Sequence, residues 1–174
     1  RIRRSSVRGK AVSSSARGAV SVVIPSGNAA RQRNLADLQG DLARQTRAPM
    51  EVVVIRGVAP NGRARNAGVE RCSGDVLCFL DDDVRLGPDN VIEELVRVLE
   101  SDPSVGLVGT AQQIPPESSA FQRRCAREMS RASSPVVNDV TESDMVTTQC
   151  CAIRAADLAA LIDDQTSCIV VQNP

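Results

Sequence analysis

The sequence contains no histidine, no tryptophan and no tyrosine, and only two phenylalanines, Phe79 and Phe121, among 174 residues. Each absence removes a chemistry. Without histidine there is no Ser-His-Asp or Cys-His machinery and no histidine-ligated zinc. Two aromatic side chains cannot build the base-stacking platforms of single-strand binders, so nucleic acid is not an expected partner of the domain. The six cysteines (Cys72, Cys78, Cys125, Cys150, Cys151 and Cys168) form no CxxC pair, which leaves a zinc ribbon or a thioredoxin motif unsupported. No run approaches 18 apolar residues and no signal-peptide core follows the basic start. The expectation is a reducing, cytoplasmic setting without a membrane span. Acid–base or metal chemistry must then come from the 21 carboxylates.

What is present has a globular balance, 42% hydrophobic and 24% charged, in a chain of single-domain size. The net charge is zero but unevenly spread. Arg1, Arg3, Arg4, Arg8, Lys10 and Arg17 make the first 20 residues purely basic, and the remainder carries −6. Residues 1–18 lack apolar periodicity and have too little hydrophobic content to offset the entropy of ordering. They are expected to form a disordered basic arm, read either as a solvated tail or as a contact with anionic lipid or nucleic acid. The start without methionine suggests a fragment or a misplaced reading start. Residues 19–174 form the domain.

Residues 20–24 are a β-branched apolar run stopped by Pro25, the pattern of a buried parallel strand. Ser26, Gly27 and Asn28 supply turn and capping chemistry. Leu35, Leu38 and Leu42 recur at helical spacing and predict a helix over 31–45. A second strand is expected at 52–55, a turn at Asn61-Gly62, a helix over 63–72 and a third strand at 76–80. Gly87-Pro88 predicts the start of the next helix, with proline in its first turn and an apolar face of Val91, Ile92, Leu95, Val96 and Leu99. A strand at 105–108, a helix over 118–131, a strand at 145–153 and an alanine-rich helix to 161 follow. Residues 165–174 show no clear partner. Cys72 and Cys78 read as buried small hydrophobes. The alternation predicts an α/β fold, a Rossmann-like and mostly parallel sheet with helices on both faces. Ligands of such sheets bind beyond the carboxyl ends of the strands, so 25–28, 56–57 and 81–83 should converge on one edge.

Asp81, Asp82 and Asp83 follow the third strand directly. Adjacent carboxylates at contact distance repel by roughly 4 kcal/mol at intermediate dielectric. A divalent cation relieves that repulsion, and Mg²⁺ or Mn²⁺ takes such oxygen ligands while sharing substrate phosphates. The other reading is a solvated acidic loop. The stretch NGRARNAG at 61–68 opens a helix with free N–H groups and two arginines, either an anion-binding end or a solvated surface. Arg63 and Arg65 diverge by about 200° on a helix, so only one is expected to reach a site. Arg123, Arg124, Arg127 and Arg131 form a basic stripe, read as a solvated face or as a contact with an anionic acceptor or membrane surface. Glu142, Ser143 and Asp144 read as a polar loop.

VSVVIPSGN (20–28), EVVVIRG (51–57), RARNAG (63–68), GDVLCFLDDDV (74–84) and CCAIR (150–154) occur in this order. Together they resemble the nucleotide-sugar-binding portion of family 2 glycosyltransferases, over about residues 19–160. The DxD inside GDxxxFLDDDV is the most specific part. The resemblance implies the GT-A fold and a hexosyl- or other glycosyltransferase whose donor is a nucleotide-diphosphate sugar. In such enzymes a metal bound by DxD stabilises the departing diphosphate, and a separate carboxylate activates the acceptor hydroxyl. Carried over by position, Asp81 and Asp83 are metal ligands and Asp82 faces the ribose. Pro25, Ser26 and Asn28 line the nucleotide pocket, and Arg65 and Asn66 close that region or meet phosphate. Gly27 stands where the family often has an aromatic residue, and Arg56 where it often has a base-reading Asp. Arg56 is counted with the donor-binding residues by its position, and the base stays unassigned. The family's general base follows the segment matching 145–160, where Asp163 and Asp164 are the candidates. The fold is expected to be C-terminally truncated, and this chain alone to bind donor but transfer poorly. Peripheral association with the inner face of a membrane is a further expectation. Three rival functions stand beside it: a truncated, non-catalytic nucleotide-binding module; a nucleotidyltransferase, which would want a Gly-rich basic loop after the first strand; and a phosphotransfer or receiver-like domain, which would want its acids after the first strand and a late Lys, where this sequence has only Lys10.

Overall fold

The computed structural model describes residues 18–27, 32–128, 140–141 and 146–161. The expectations placed on the arm to residue 17, Asn28, Arg131, residues 142–144, Asp163, Asp164 and the tail lie outside the described residues.

Ten elements follow in order: β1 (Val20–Ser26), α1 (Gln32–Ala43), β2 (Glu51–Arg56), α2 (Asn61–Val69), β3 (Val76–Leu80), α3 (Val91–Ser101), β4 (Leu107–Gly109), α4 (Ala120–Glu128), β5 (Cys150–Arg154) and α5 (Ala155–Leu161). The sheet order is β2-β1-β3-β5-β4. β1 pairs in parallel with β2 and with β3, as helical crossovers α1 and α2 allow. β5 runs antiparallel to both β3 and β4, so four strands point one way and one opposes them. This is the mostly parallel α/β sheet that the alternation implied.

Strand periodicity divides the core. Val20, Val22 and Ile24 of β1 with Val76, Cys78 and Leu80 of β3 face Leu35, Leu38 and Leu42 of α1 and Ile92, Leu95, Val96 and Leu99 of α3. Val23, Leu77, Phe79, Cys151 and Ile153 point to the other face, against Leu158 of α5 and half-buried Val69 and Cys72. Helices therefore cover both faces. Every residue of β1 and β3 is buried, which is why both strands read as unbroken apolar runs. Each fully buried Val or Leu side chain contributes roughly 1.5–3 kcal/mol.

Several boundaries differ from expectation. α3 starts at Val91 with Asn90 as its N-cap, so Pro88 precedes the helix instead of sitting in its first turn. The physical reason is a cap supplied from afar: the Gln45 side-chain oxygen accepts from the Ile92 N–H at 3.0 Å. α2 begins at Asn61 after Pro60, so Asn61-Gly62 forms helix and not a turn ahead of it. The strand expected at 145–153 is Cys150–Arg154, the residues that find ladder partners on β3 among those described. β4 is three residues long and shifted to 107–109. α1 ends at Ala43, short of the expected 45, and α4 begins at Ala120, two residues after the expected 118. Cys78 is buried as expected, while Cys72 is only half-buried.

Candidate functional site

Because β1, β2 and β3 are parallel, their carboxyl ends share one edge. Ser26 is in register with Arg56, and the Gly57 N–H donates to the Ser26 carbonyl at 3.3 Å. β3 stops at Leu80, and the chain turns at once: the Val84 N–H donates to the Asp81 carbonyl at 3.3 Å. The Asp81 N–H donates to the Gln149 carbonyl at 3.1 Å, which ties the turn to the approach of β5. The turn separates the three acids. Asp82 points inward and is 3% exposed, Asp81 is half-buried and Asp83 is exposed.

α2 brings a cation to this edge. Ala64 and Gly68 face the sheet, and a Cβ on Gly68 would lie 2.3 Å from Val23 Cγ1, so the helix sits close on β1. Arg65 is drawn inside with them. Its Nη2 meets Asp81 Oδ1 at 2.6 Å, with side-chain exposures of 7% and 16%. Arg65 Nε is buried and has no hydrogen-bond partner. Arg63 is exposed, so the helix divides the two arginines between solvent and edge. Burial raises the Asp81 pKa, and Arg65 opposes that shift by charge and hydrogen bond.

Pro25, Ser26, Arg56, Asp81, Asp82 and Asp83 thus gather at one edge, with Arg65 reaching Asp81. Pro25 and Ser26 are buried, Arg56 is exposed at the end of β2, and Asn66 is exposed on α2. Among the described residues no group of three His, Cys, Asp or Glu side chains forms a metal cage. The donor set still suits a hard cation that takes one or two carboxylate oxygens and shares phosphate oxygens, as Mg²⁺ and Mn²⁺ do.

Two residues that grip the segment following the acids escaped the sequence reading. Asp41 and Gln45 lie on the buried side of α1 and the loop after it, beside Leu38 and Leu42. The available signal was a charged residue on an apolar face. Asp41 is 1% exposed and bonded to Arg85, Arg44 and the Leu86 N–H. The Arg85 hydrogen bonds hold its pKa down at about 2, against the opposing effect of burial.

A five-stranded sheet of this order, with acids and a buried arginine beyond its parallel strand ends, is a GT-A-like α/β fold. The chain belongs to glycosyl transferase family 2, whose model matches residues 61–161, from the first turn of α2 through α5. Among solved structures it is similar to the mannosyltransferase PcManGT from Pyrobaculum calidifontis in complex with GDP-Man and Mn²⁺. The two share 15% identity at a TM-score of 0.59, over 83% of this chain and 47% of that one. TarS of S. aureus is similar at 15% identity and a TM-score of 0.57, over 81% of this chain and 29% of that one. A TarS segment, residues 1–349 with UDP, gives 12% identity and a TM-score of 0.56, over 82% and 48%. These likenesses are of fold, and the chain spans less than half the length of each of these proteins. No curated protein sequence matches the chain.

Proposed function

We propose that this chain is the donor-binding part of a nucleotide-sugar-dependent glycosyltransferase. The observation that supports it best is the Arg65–Asp81 ion pair at 2.6 Å, which joins the two most specific sequence motifs at the carboxyl edge of the sheet. The relatives in complex with GDP-Man and Mn²⁺ and with UDP support a diphosphate donor. Asp83, exposed at the mouth of the turn, and Asp81 are the residues that would hold a divalent cation. Such a cation supplies Lewis-acid stabilisation of the leaving diphosphate.

The chain's own residues have separate tasks in this reading. Arg65 opposes the upward shift that burial gives half-buried Asp81 and holds its carboxylate in place. Asp82 meets the ribose, and Pro25, Ser26 and Asn28 line the base and sugar. Arg56 and Asn66 lie at the rim, where the cation of Arg56 draws an anionic donor by charge. In transfer, the acceptor oxygen attacks the anomeric carbon, and the bond to the diphosphate breaks with its electron pair on the phosphate oxygen. The acceptor proton passes to a carboxylate, for which Asp163 or Asp164 is proposed. On the acceptor side, α4 presents Phe121, 75% exposed, beside exposed Arg124. Arg123 is turned back to donate to the Pro116 and Ser118 carbonyls. This face suits an anionic acceptor or a peripheral membrane contact. Among the described residues no helix is long and apolar enough to cross a membrane. Among the described residues five cysteines are free thiols, and a reducing, cytoplasmic compartment is part of this proposal.

A thermal-shift panel of UDP and GDP with and without Mn²⁺ tests the proposal. A ligand bound only by the folded state raises the melting temperature by mass action. We expect a rise that needs both diphosphate and Mn²⁺ and that Asp83→Asn removes. No rise with either nucleotide overturns the donor-site reading. An equal rise in Asp83→Asn removes Asp83 from the ligand set. If a diphosphate binds but neither donor hydrolysis nor transfer follows, the non-catalytic module is the better reading.

A further inference from the structure

We infer that Asp41, forty residues before the acidic triad, is a positioning residue for the donor site, fixing the turn that carries Asp81, Asp82 and Asp83. The inference deepens the reading above and rests on it for its functional half. Residues 81–90 contain neither helix nor strand. Asp81 is held by its turn bond from Val84, by the Gln149 carbonyl and by Arg65, and from Arg85 onward the segment is gripped by the C-terminal end of α1 and the residues that follow it. Asp41 Oδ2 accepts from Arg85 Nε at 2.6 Å and from the Leu86 N–H at 3.1 Å. Asp41 Oδ1 accepts from Arg85 Nη2 at 2.9 Å and from Arg44 Nη2 at 2.6 Å. Four residues on, Gln45 Nε2 donates to the Pro88 carbonyl and its Oε1 accepts from the Ile92 N–H, each at 3.0 Å. The Thr46 N–H donates to the Asp89 carbonyl at 2.7 Å.

This small region therefore holds the segment at residues 85, 86, 88, 89 and 92. The grip begins two residues after Asp83. A carboxylate that is 1% exposed is a costly group to bury, and an apolar residue would extend the Leu35, Leu38 and Leu42 face at no such cost. What the carboxylate adds is a bidentate hold on Arg85 and a bond to the next N–H, which a hydrophobic side chain cannot supply. Sites work when their supporting groups lock the reacting ones in place, and Asp41 supplies that lock from the neighbouring element.

The test compares the whole chain with Asp41→Asn, Asp41→Ala and Arg85→Lys by two measurements. The first is amide hydrogen exchange without ligand. Asp41→Asn should speed exchange at Val84 and Leu86 by about tenfold or more and leave the β1 and β3 amides unchanged. The second is calorimetry with Mn²⁺ and UDP or GDP. Affinity should fall by about tenfold in Asp41→Asn and in Arg85→Lys, with no further fall when the two are combined, since both changes loosen one clamp. Uniform acceleration across the core, or losses of affinity that add in the combined variant, overturns the positioning role. If Asp41→Ala does not fold, Asp41→Asn and Arg85→Lys carry the test. If the unmodified chain binds neither diphosphate, the donor-site reading fails, and exchange at Val84 and Leu86 still decides whether Asp41 fixes the turn.

Discussion

Asp81, Asp82 and Asp83 are neighbours in sequence and differ in environment, and the difference comes from the turn that begins at Asp81. One acid is paired with Arg65, one is buried and one is exposed, so three identical side chains have three chemistries. Asp41 shows the same effect of place on charge. Its pKa is lowered from 3.8 to about 2, chiefly by the Arg85 hydrogen bonds. A carboxylate depressed in the folded state stabilises above its unfolded pKa and loses that contribution as pH falls through the folded value. Asp41 should therefore add stability at pH 5 that disappears between about pH 4 and pH 2. Arg85 is 57% exposed, so solvent screening reduces the contribution to roughly 1–2 kcal/mol. Urea titrations at pH 5 and pH 2.5 would show the unmodified chain losing this advantage over Asp41→Asn. A constant difference between the two would mean that Asp41 does not titrate in that window.

Elements meet the sheet through small residues as much as through large ones. α2 carries Arg65 to Asp81 only because Gly68 lets the helix approach Val23, which is fully buried. Gly68→Ala would place a methyl group 2.3 Å from Val23 Cγ1, and Val23 has no solvent to retreat into. Overpacking of this kind costs about 1–3 kcal/mol. The helix must tilt or rise, so Arg65 should shift from Asp81 as well. Denaturation of Gly68→Ala should show the loss of stability. A variant as stable as the unmodified chain would mean that α2 and β1 are not in close contact here.

The whole molecule is held across its parallel and antiparallel parts by Arg154 at the end of β5. Its guanidinium donates to the carbonyls of Leu99, Asp102 and Val105 and pairs with Asp157 at 2.6 Å. It thereby places a cation on the C-terminal end of α3 and joins that helix to β5. Arg154→Met keeps the aliphatic stem and removes these bonds. We expect a loss of about 2–3 kcal/mol, since two part-buried carbonyls, those of Leu99 and Val105, lose a charged donor. The unfolding midpoint in urea should fall with an unchanged slope, as for a single cooperative unit. A changed slope or a second transition would show that the antiparallel edge unfolds separately from the rest.

Sequence patterning alone determined the order of elements, the two-faced core and the edge at which 25–26, 56–57 and 81–83 meet. Those follow from local periodicity, since an unbroken apolar run can only be buried on both faces and parallel strands bring their carboxyl ends together. The family was legible because its motifs are short stretches whose order survives in one dimension. Element ends were less so. Pro88 looked like a helix start until Gln45, distant in sequence, proved to supply the cap that sets α3 at Val91. The partner of β5 decided where that strand begins. The Arg65–Asp81 pair and the Asp41–Arg85 clamp were decided by the tertiary structure alone. An arginine two residues from another looks the same in sequence, and an aspartate on a helix is ordinarily solvated. Only the approach of α2 to β1, and of α1 to the segment after β3, excludes water from one side chain of each kind, so that Asp81 answers the charge of Arg65 and Arg85 with Arg44 answers that of Asp41.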